Sequence, residues 1–191
     1  MSSTPPPPPP PLIIRTTPLI PKPAVPSAGP PGAFLVELLV FNGSPFADHW
    51  AYWIRSHANP DIGVQIHADG DVRTGFRFEI KRSRDLRDDS PTTTIPLQWV
   101  SGRYFDEEAM LNYREAMIDN VPVCGFEASA YKVKAPEKSL NAIDETVSPG
   151  RIGKRITQRN CQTWIVEAAD QLVEDGIFSK EVASYLHGIK Q

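Results

Sequence analysis

Stretches of continuous or alternating hydrophobic residues dominate the first half of the folding region. The run AFLVELLVF at residues 33–41 predicts a buried strand. DHWAYWIRS at residues 48–56 predicts a second strand because it is rich in aromatic residues. GVQIHADG at 63–70 and VRTGFRFEIKRS at 72–83 predict a hairpin around a tight Asp-Gly-Asp turn. IPLQWVSG at 95–102 predicts a further strand.

The second half of the chain is dominated by helical spacing. FDEEAMLNYREAM at residues 105–117 predicts a helix that Asp106 caps. VPVCGFEASAYKVK at 121–134 predicts a last strand. Two helices are predicted to close the chain, at about 160–175 and about 179–187. The sequence therefore predicts an α+β fold in which an antiparallel sheet packs against a helix that carries Cys161.

Proline divides the chain into two parts. Thirteen of its twenty prolines lie in residues 1–31, and proline supplies no backbone donor for a helix or a sheet ladder. Residues 1–32 are therefore predicted to form a disordered tail, and residues 33–191 a single domain. The tail could bind a polyproline-reading domain of the SH3, WW or profilin type, or it could be a plain disordered extension.

Charge and motif content exclude several classes of function. The formal net charge of −3, with interspersed acids and bases, argues against a dedicated DNA-binding face. The longest apolar run is too short to span a bilayer, and no secretory signal is apparent at the N-terminus. Two cysteines make no disulfide framework, so a reducing, cytoplasmic location is expected. No motif indicates a metal or a cofactor.

Cys161 is the first candidate for chemistry. Together with Ile165, Ala168 and Leu172 it lies on one face of the helix predicted at about 160–175. Its place in the first turn puts it beside free N–H groups and the positive end of the helix dipole, which favours a thiolate. The alternative is a buried cysteine that acts as a small hydrophobic residue, the role we expect of Cys124 in its predicted strand.

Two of the four histidines belong to predicted strands. If the strands of His49 and His67 are neighbours, the two rings can lie close together on one face, with His49 as a general base and His67 as the residue that orients it. His57 in a loop and His187 in the last helical turn are expected at the surface.

These residues resemble a known family. A strand with HWAYWI, a following strand with IH, and the pair Asn160-Cys161 at a helix start resemble the circularly permuted papain-like fold of lecithin:retinol-acyltransferase-like proteins and cell-wall peptidases. The resemblance covers roughly residues 34–175. It implies Cys161 as the nucleophile, His49 as the base and His67 as the third residue. The overall pattern also resembles proteins of filamentous fungi, some of them encoded beside secondary-metabolite genes.

A triad of this kind implies a cysteine-dependent hydrolase or acyltransferase. Its substrate would be a small-molecule or peptide acyl compound, held as a thioester on Cys161. The Cys161 N–H is the natural oxyanion donor, and Gln98 and Gln162 are both candidates for a second one. Trp53 is the candidate for a substrate groove, since it shares the predicted face of His49. The alternatives are a non-catalytic binding member of the same fold and an adaptor that works through its proline tail.

Overall fold

The computed structural model describes residues 21–138 and 159–191. Within these ranges six strands form one antiparallel sheet with the order β5-β1-β2-β3-β4-β6. The strands are β1 (Phe34–Phe41), β2 (His49–Arg55), β3 (Ile62–Asp71), β4 (Gly75–Asp85), β5 (Thr93–Val100) and β6 (Met117–Asp119).

Four α-helices accompany the sheet in the described ranges: α1 (Glu107–Met110), α2 (Gly125–Tyr131), α3 (Cys161–Glu174) and α4 (Lys180–Ile189). Short 3-10 helices lie at Gly102–Tyr104 and Asn112–Arg114. Helix α3 packs across β2 and β3 and also contacts α2 and α4. The α+β class and the antiparallel sheet predicted from the sequence are confirmed. None of the helices in the described part of the chain has the length and apolar character needed to cross a bilayer.

The apolar face of α3 explains its position on the sheet. Trp164, Ile165 and Ala168 are buried in the main core together with Tyr52 and Ile66 of the sheet. The Tyr52 hydroxyl donates to the Ile165 carbonyl over 2.7 Å, which fixes the helix against β2. The core therefore sets where the first turn of α3 lies relative to the end of β2.

Asn160 caps the start of helix α3. The Asn160 side chain accepts a hydrogen bond from the Thr163 N–H over 3.0 Å, which satisfies one of the free donors of the first turn. Cys161 is consequently the first residue of the helix.

The region from residue 105 to residue 134 differs from the prediction. Asp106 caps α1 as expected, but the α-helix has only four residues, Glu107–Met110, because Asn112, Tyr113 and Arg114 adopt positive φ angles. The strand predicted at 121–134 is wrong.

In its place, Gly125–Tyr131 is helix α2 and Cys124 occupies its N-cap position. Glu127, three residues after that cap, accepts from the Val123 N–H over 2.8 Å and pairs with buried Arg82 of β4. These tertiary contacts outweigh the strand propensity of the β-branched and aromatic residues.

Part of the proline-rich segment lies on the domain. Residues 1–20 lie outside the described ranges, so the predicted tail can be compared only from residue 21. The Trp99 indole N–H donates to the Pro26 carbonyl over 2.8 Å. Gly29 lies so close that a Cβ built on it would be 2.3 Å from the Trp99 ring. Within residues 21–32 the segment thus contacts the domain at Trp99 of β5, whereas the prediction of a disordered tail over residues 1–32 stays a prediction.

Candidate functional site

The two strand histidines predicted as base and orienting residue are hydrogen-bonded. His49 Nε2 and His67 Nδ1 lie 2.7 Å apart, with the rings at 76°. The β2–β3 register runs from Arg55 opposite Gly63 to Tyr52 opposite Ile66. His49 lies beyond the end of that ladder, so its ring reaches His67 diagonally across the sheet.

Glu79 of β4 extends this chain of hydrogen bonds. It is directly opposite His67 in the β3–β4 register, and its Oε1 lies 3.3 Å from His67 Nε2. Its side chain is buried, as the residue is only 4% exposed. Glu79 is not among the site residues predicted from the sequence, although alternation along β4 places it with Arg77 and Lys81 on the face opposite Phe78 and Ile80.

Cys161 lies beside the backbone that carries His49. Its Sγ is 3.9 Å from the Asp48 carbonyl oxygen, and the N–H of Trp50 also contacts the sulfur. Asp48 and Trp50 are the two neighbours of His49 in the chain. Among the described residues, no hydrogen bond joins Cys161 Sγ to the His49 ring.

The helix and the histidines belong to opposite faces of the sheet. Trp50 and Tyr52 of β2 face the core beneath α3, whereas Ala51 and Trp53 face a second, smaller cluster with Leu39. Alternation puts His49 on the face of Ala51 and Trp53. Cys161 therefore meets the backbone of β2 at the open end of the β2–β3 ladder, near the strand segment that bears His49.

The ionisation of the three residues differs from the sequence expectation. Burial raises the pKa of Cys161 above its usual value, and the N–H groups of Trp50, Gln162 and Cys161 itself only partly oppose this. Burial also lowers the pKa of His49, in spite of the opposing charge of Asp69. The prediction of a lowered thiol pKa is thus not met, because desolvation of the sulfur outweighs the helix terminus.

The pKa of His67 is lowered further. Burial, followed by the neighbouring His49, Lys81 and Arg84, brings it to about 2. The resting groups are consequently a thiol and two neutral imidazoles.

The predicted accessory residues have other roles in the structure. Gln162 is fully buried, and its amide donates to the Asp48 carbonyl over 2.8 Å and to Gln191 over 3.2 Å. Gln98 donates to the Ile177 carbonyl and accepts from the Ser179 N–H, so its amide supports the start of α4.

Gln98 is also remote from His49. Gln98 pairs with Val36 of β1, and Val36 in turn pairs with Ile54 of β2. Ile54 is five residues from His49 along β2, so about 17 Å of strand separates Ile54 from His49. Trp53 shares the face of His49 but is completely buried, so it lines no open groove, and within residues 21–138 and 159–191 its Nε1 has no hydrogen-bond partner. Of these three residues, only Gln162 is brought next to Cys161.

A group of possible metal ligands coincides with the histidine chain. One ligand atom each from His67, Asp69 and Glu79 lies within 4.8 Å of the others. Arg77 Nη2 lies 3.4 Å from both carboxylates, and Lys81 Nζ lies 3.7 Å from Glu79. Because these cations already offset the carboxylate charge, the arrangement resembles an ion-pair cluster more than a cation site.

Two clefts lie outside the immediate surroundings of Cys161. A cleft of about 600 Å³ is lined by Ser56, His57, Ala58, Glu107, Glu108, Leu111, Tyr113 and Arg114. A smaller one of about 260 Å³ is lined by Arg77, Phe78, Glu79, Ile118, Asp119 and Asn120. Only the smaller cleft touches the histidine chain, through Glu79.

The chain belongs to a family of unknown function, DUF6540, whose family model matches residues 36–179. The matched range includes His49, His67, Glu79 and Cys161. No curated protein and no solved structure matches the chain.

Proposed function

We propose that the protein is a cysteine-dependent hydrolase or acyltransferase of the circularly permuted papain type, with Cys161 as nucleophile and His49 as base. The observation that carries the proposal is the 2.7 Å hydrogen bond between His49 Nε2 and His67 Nδ1. This bond occupies Nε2 of His49 and leaves Nδ1 as the ring nitrogen that can act as a base. The contact of Cys161 with the backbone of Asp48 and Trp50 supports the same assignment.

The reaction begins from neutral groups. As Cys161 Sγ attacks the carbonyl carbon of an amide, ester or thioester, its proton passes to His49 Nδ1. The Trp50 N–H stabilises the negative charge that develops on sulfur during this transfer. The Cys161 backbone N–H donates to the oxyanion, a contribution of about 2.7–4 kcal/mol in sites of this kind.

The intermediate is a thioester on Cys161. The tetrahedral adduct collapses when the leaving group takes the proton from the His49 imidazolium, and the acyl group stays on sulfur. His49 then removes a proton from water, which makes the protein a hydrolase, or from an amine or alcohol, which makes it a transferase. Attack of that oxygen or nitrogen releases the acyl product and restores the thiol.

The direct test is to trap the acyl-enzyme. The full chain is incubated with p-nitrophenyl acetate and with acyl thioesters, and the mass of the intact protein is followed over time. We expect one acyl adduct per chain, mapped to Cys161, that is lost in Cys161→Ala and slowed at least tenfold in His49→Ala. Cys124→Ser is the matched control and keeps the adduct. Acylation of both cysteines at equal rates would refute the proposal.

A non-catalytic binding role is the second candidate. It is favoured by the raised pKa of Cys161 and by the position of the 600 Å³ cleft, which involves none of the three triad residues. This candidate predicts no acyl adduct on Cys161 with any donor. It also predicts that substitutions in the cleft, such as Arg114→Ala, weaken the binding of a ligand or partner, whereas Cys161→Ala leaves that binding unchanged.

A further inference from the structure

Glu79 is a buried carboxylate that contacts the second histidine of the site. The residue is 4% exposed and His67 is 2% exposed, so the 3.3 Å contact between Oε1 and Nε2 is shielded from water. The two residues are direct cross-strand partners on β3 and β4. The rigid sheet therefore fixes this contact without the help of a loop.

The hydrogen-bonding capacity of each group then fixes where the protons are. A carboxylate only accepts, so His67 Nε2 must be the donor to Glu79. A neutral imidazole has one donor and one acceptor nitrogen, so His67 Nδ1 accepts from His49 Nε2. The same rule leaves His49 Nδ1 with a free lone pair.

We propose that Glu79 is a positioning residue that selects the Nε2–H tautomer of His67 and, through it, the Nε2–H tautomer of His49. Its importance for catalysis depends on the function proposed above, because only a His49 with an unprotonated Nδ1 can accept the thiol proton from that side. The tautomers themselves do not depend on that function.

The surrounding charges agree with a carboxylate that accepts from a neutral ring. Arg77 Nη2 lies 3.4 Å from Glu79 Oε2, and Lys81 Nζ lies 3.7 Å from Oε1. These cations balance the charge of Glu79 without a proton on both nitrogens of His67. The low pKa of His67, due first to burial, is consistent with this.

The unmodified protein gives the first test. Long-range ¹H–¹⁵N correlation spectra of the full chain at pH 7.5, with ¹⁵N-labelled histidine, report the tautomer of each ring. We expect the Nε2–H form for both His49 and His67. The Nδ1–H form of either residue would overturn the proposal, with no variant needed.

Variants at Glu79 give the second test. In Glu79→Leu no acceptor remains for His67 Nε2, and we expect both rings to become mixtures of tautomers. In Glu79→Gln the amide can turn its oxygen to Arg77 and its NH2 group to His67, which favours the Nδ1–H form. Asp69→Asn is the matched control, because Asp69 forms an ion pair with Arg77 and, among the described residues, no hydrogen bond to His67, so its spectra should retain the Nε2–H forms. Unchanged tautomers in folded Glu79→Leu and Glu79→Gln would overturn the proposal.

The outcome separates this inference from the proposed function. If both tautomers are as stated but no acyl-enzyme forms in the unmodified protein, the proposed function fails and the role of Glu79 in setting tautomers stands. If the acyl-enzyme forms, we expect Glu79→Gln to form it about tenfold to a hundredfold more slowly. An acyl-enzyme formed at the full rate in Glu79→Gln, with His49 in the Nδ1–H form, would refute the positioning role alone.

Discussion

His49 and His67 are eighteen residues apart in the chain, and their ring nitrogens Nε2 and Nδ1 lie 2.7 Å apart across two strands of the sheet. Both rings are mostly shielded from water, and burial lowers the pKa of each. This pair destabilises the fold at low pH, because a charged ring is poorly solvated when buried and two charged rings repel each other. The free energy of unfolding of the domain should therefore depend on pH in the range where free histidine titrates.

We expect the free energy of unfolding to fall as the pH is lowered from about 6.5 towards 5. The unfolded chain binds a proton at His67 in this range, whereas the folded chain, with a His67 pKa of about 2, does not. Each histidine that stays neutral in the fold contributes up to about 1.4 kcal/mol per pH unit. Urea unfolding at several pH values, compared between the unmodified protein and His67→Asn, measures this slope.

The charged and titratable groups that face His67 are His49, Asp69, Glu79, Arg77, Lys81 and Arg84. Asp69 and Glu79 favour a proton on the rings and the three cations oppose it, so the observed slope is the balance of burial and these charges. His187→Asn is the control, because the His187 side chain is exposed and pairs with Asp170 on the surface. A slope that is the same in His67→Asn and in the control would show that His67 is not held neutral.

The pair Arg82–Glu127 is expected to matter most for stability. Arg82 Nη1 donates to Glu127 Oε1 over 2.9 Å, and both side chains are fully buried. Arg82→Met leaves a buried carboxylate without its partner, so we expect a loss of about 3–5 kcal/mol in the free energy of unfolding. The exposed Arg87, paired with Asp85, provides Arg87→Met as a control with a change within about 0.5 kcal/mol. Equal effects of the two variants in denaturant titrations would contradict this assignment.

Trp99 is expected to order the proline-rich segment that precedes β1. Trp99→Phe removes the indole N–H that donates to the Pro26 carbonyl but keeps an aromatic ring against Gly29. We expect amide hydrogen exchange at residues 24–29 to become several-fold faster, with the melting temperature of the domain nearly unchanged. Exchange at these amides that is already at the unprotected rate in the unmodified protein would show that Trp99 does not hold the segment.

The sequence predicted the parts of the fold whose hydrophobic period is regular. The strands around Leu38, Tyr52 and Ile66 and the helix predicted at about 160–175 follow from the period of the hydrophobic residues. The closeness of His49 and His67 follows once their two strands are neighbours. These features depend on local spacing, so they could be predicted from the chain alone.

The features that the sequence did not predict depend on contacts between distant residues. Helix α2 carries residues of strand propensity, and its Glu127 gains a partner only when Arg82 of β4 is beneath it. Glu79 was missed for a similar reason: its role comes from the β3–β4 register, which places it opposite His67. The pKa of Cys161 was misjudged because the degree of burial of a first helical turn depends on the strand that covers it.

The central claim, that His49 assists Cys161, is tested most directly by site-resolved alkylation. Exposure alone predicts the reverse order of reactivity, because Cys161 is 7% exposed whereas Cys124 is only half-buried. Burial and the nearby Glu127 raise the pKa of Cys124 to about 12.

The measurement follows iodoacetamide labelling of the full chain at pH 7 by peptide mass spectrometry, in the unmodified protein, in His49→Ala and in the control His187→Ala. The account predicts that Cys161 is labelled at least tenfold faster than Cys124, and that only His49→Ala removes the difference. Slow and similar labelling of both cysteines in the unmodified protein, or a fast Cys161 that is unaffected by His49→Ala, would contradict it.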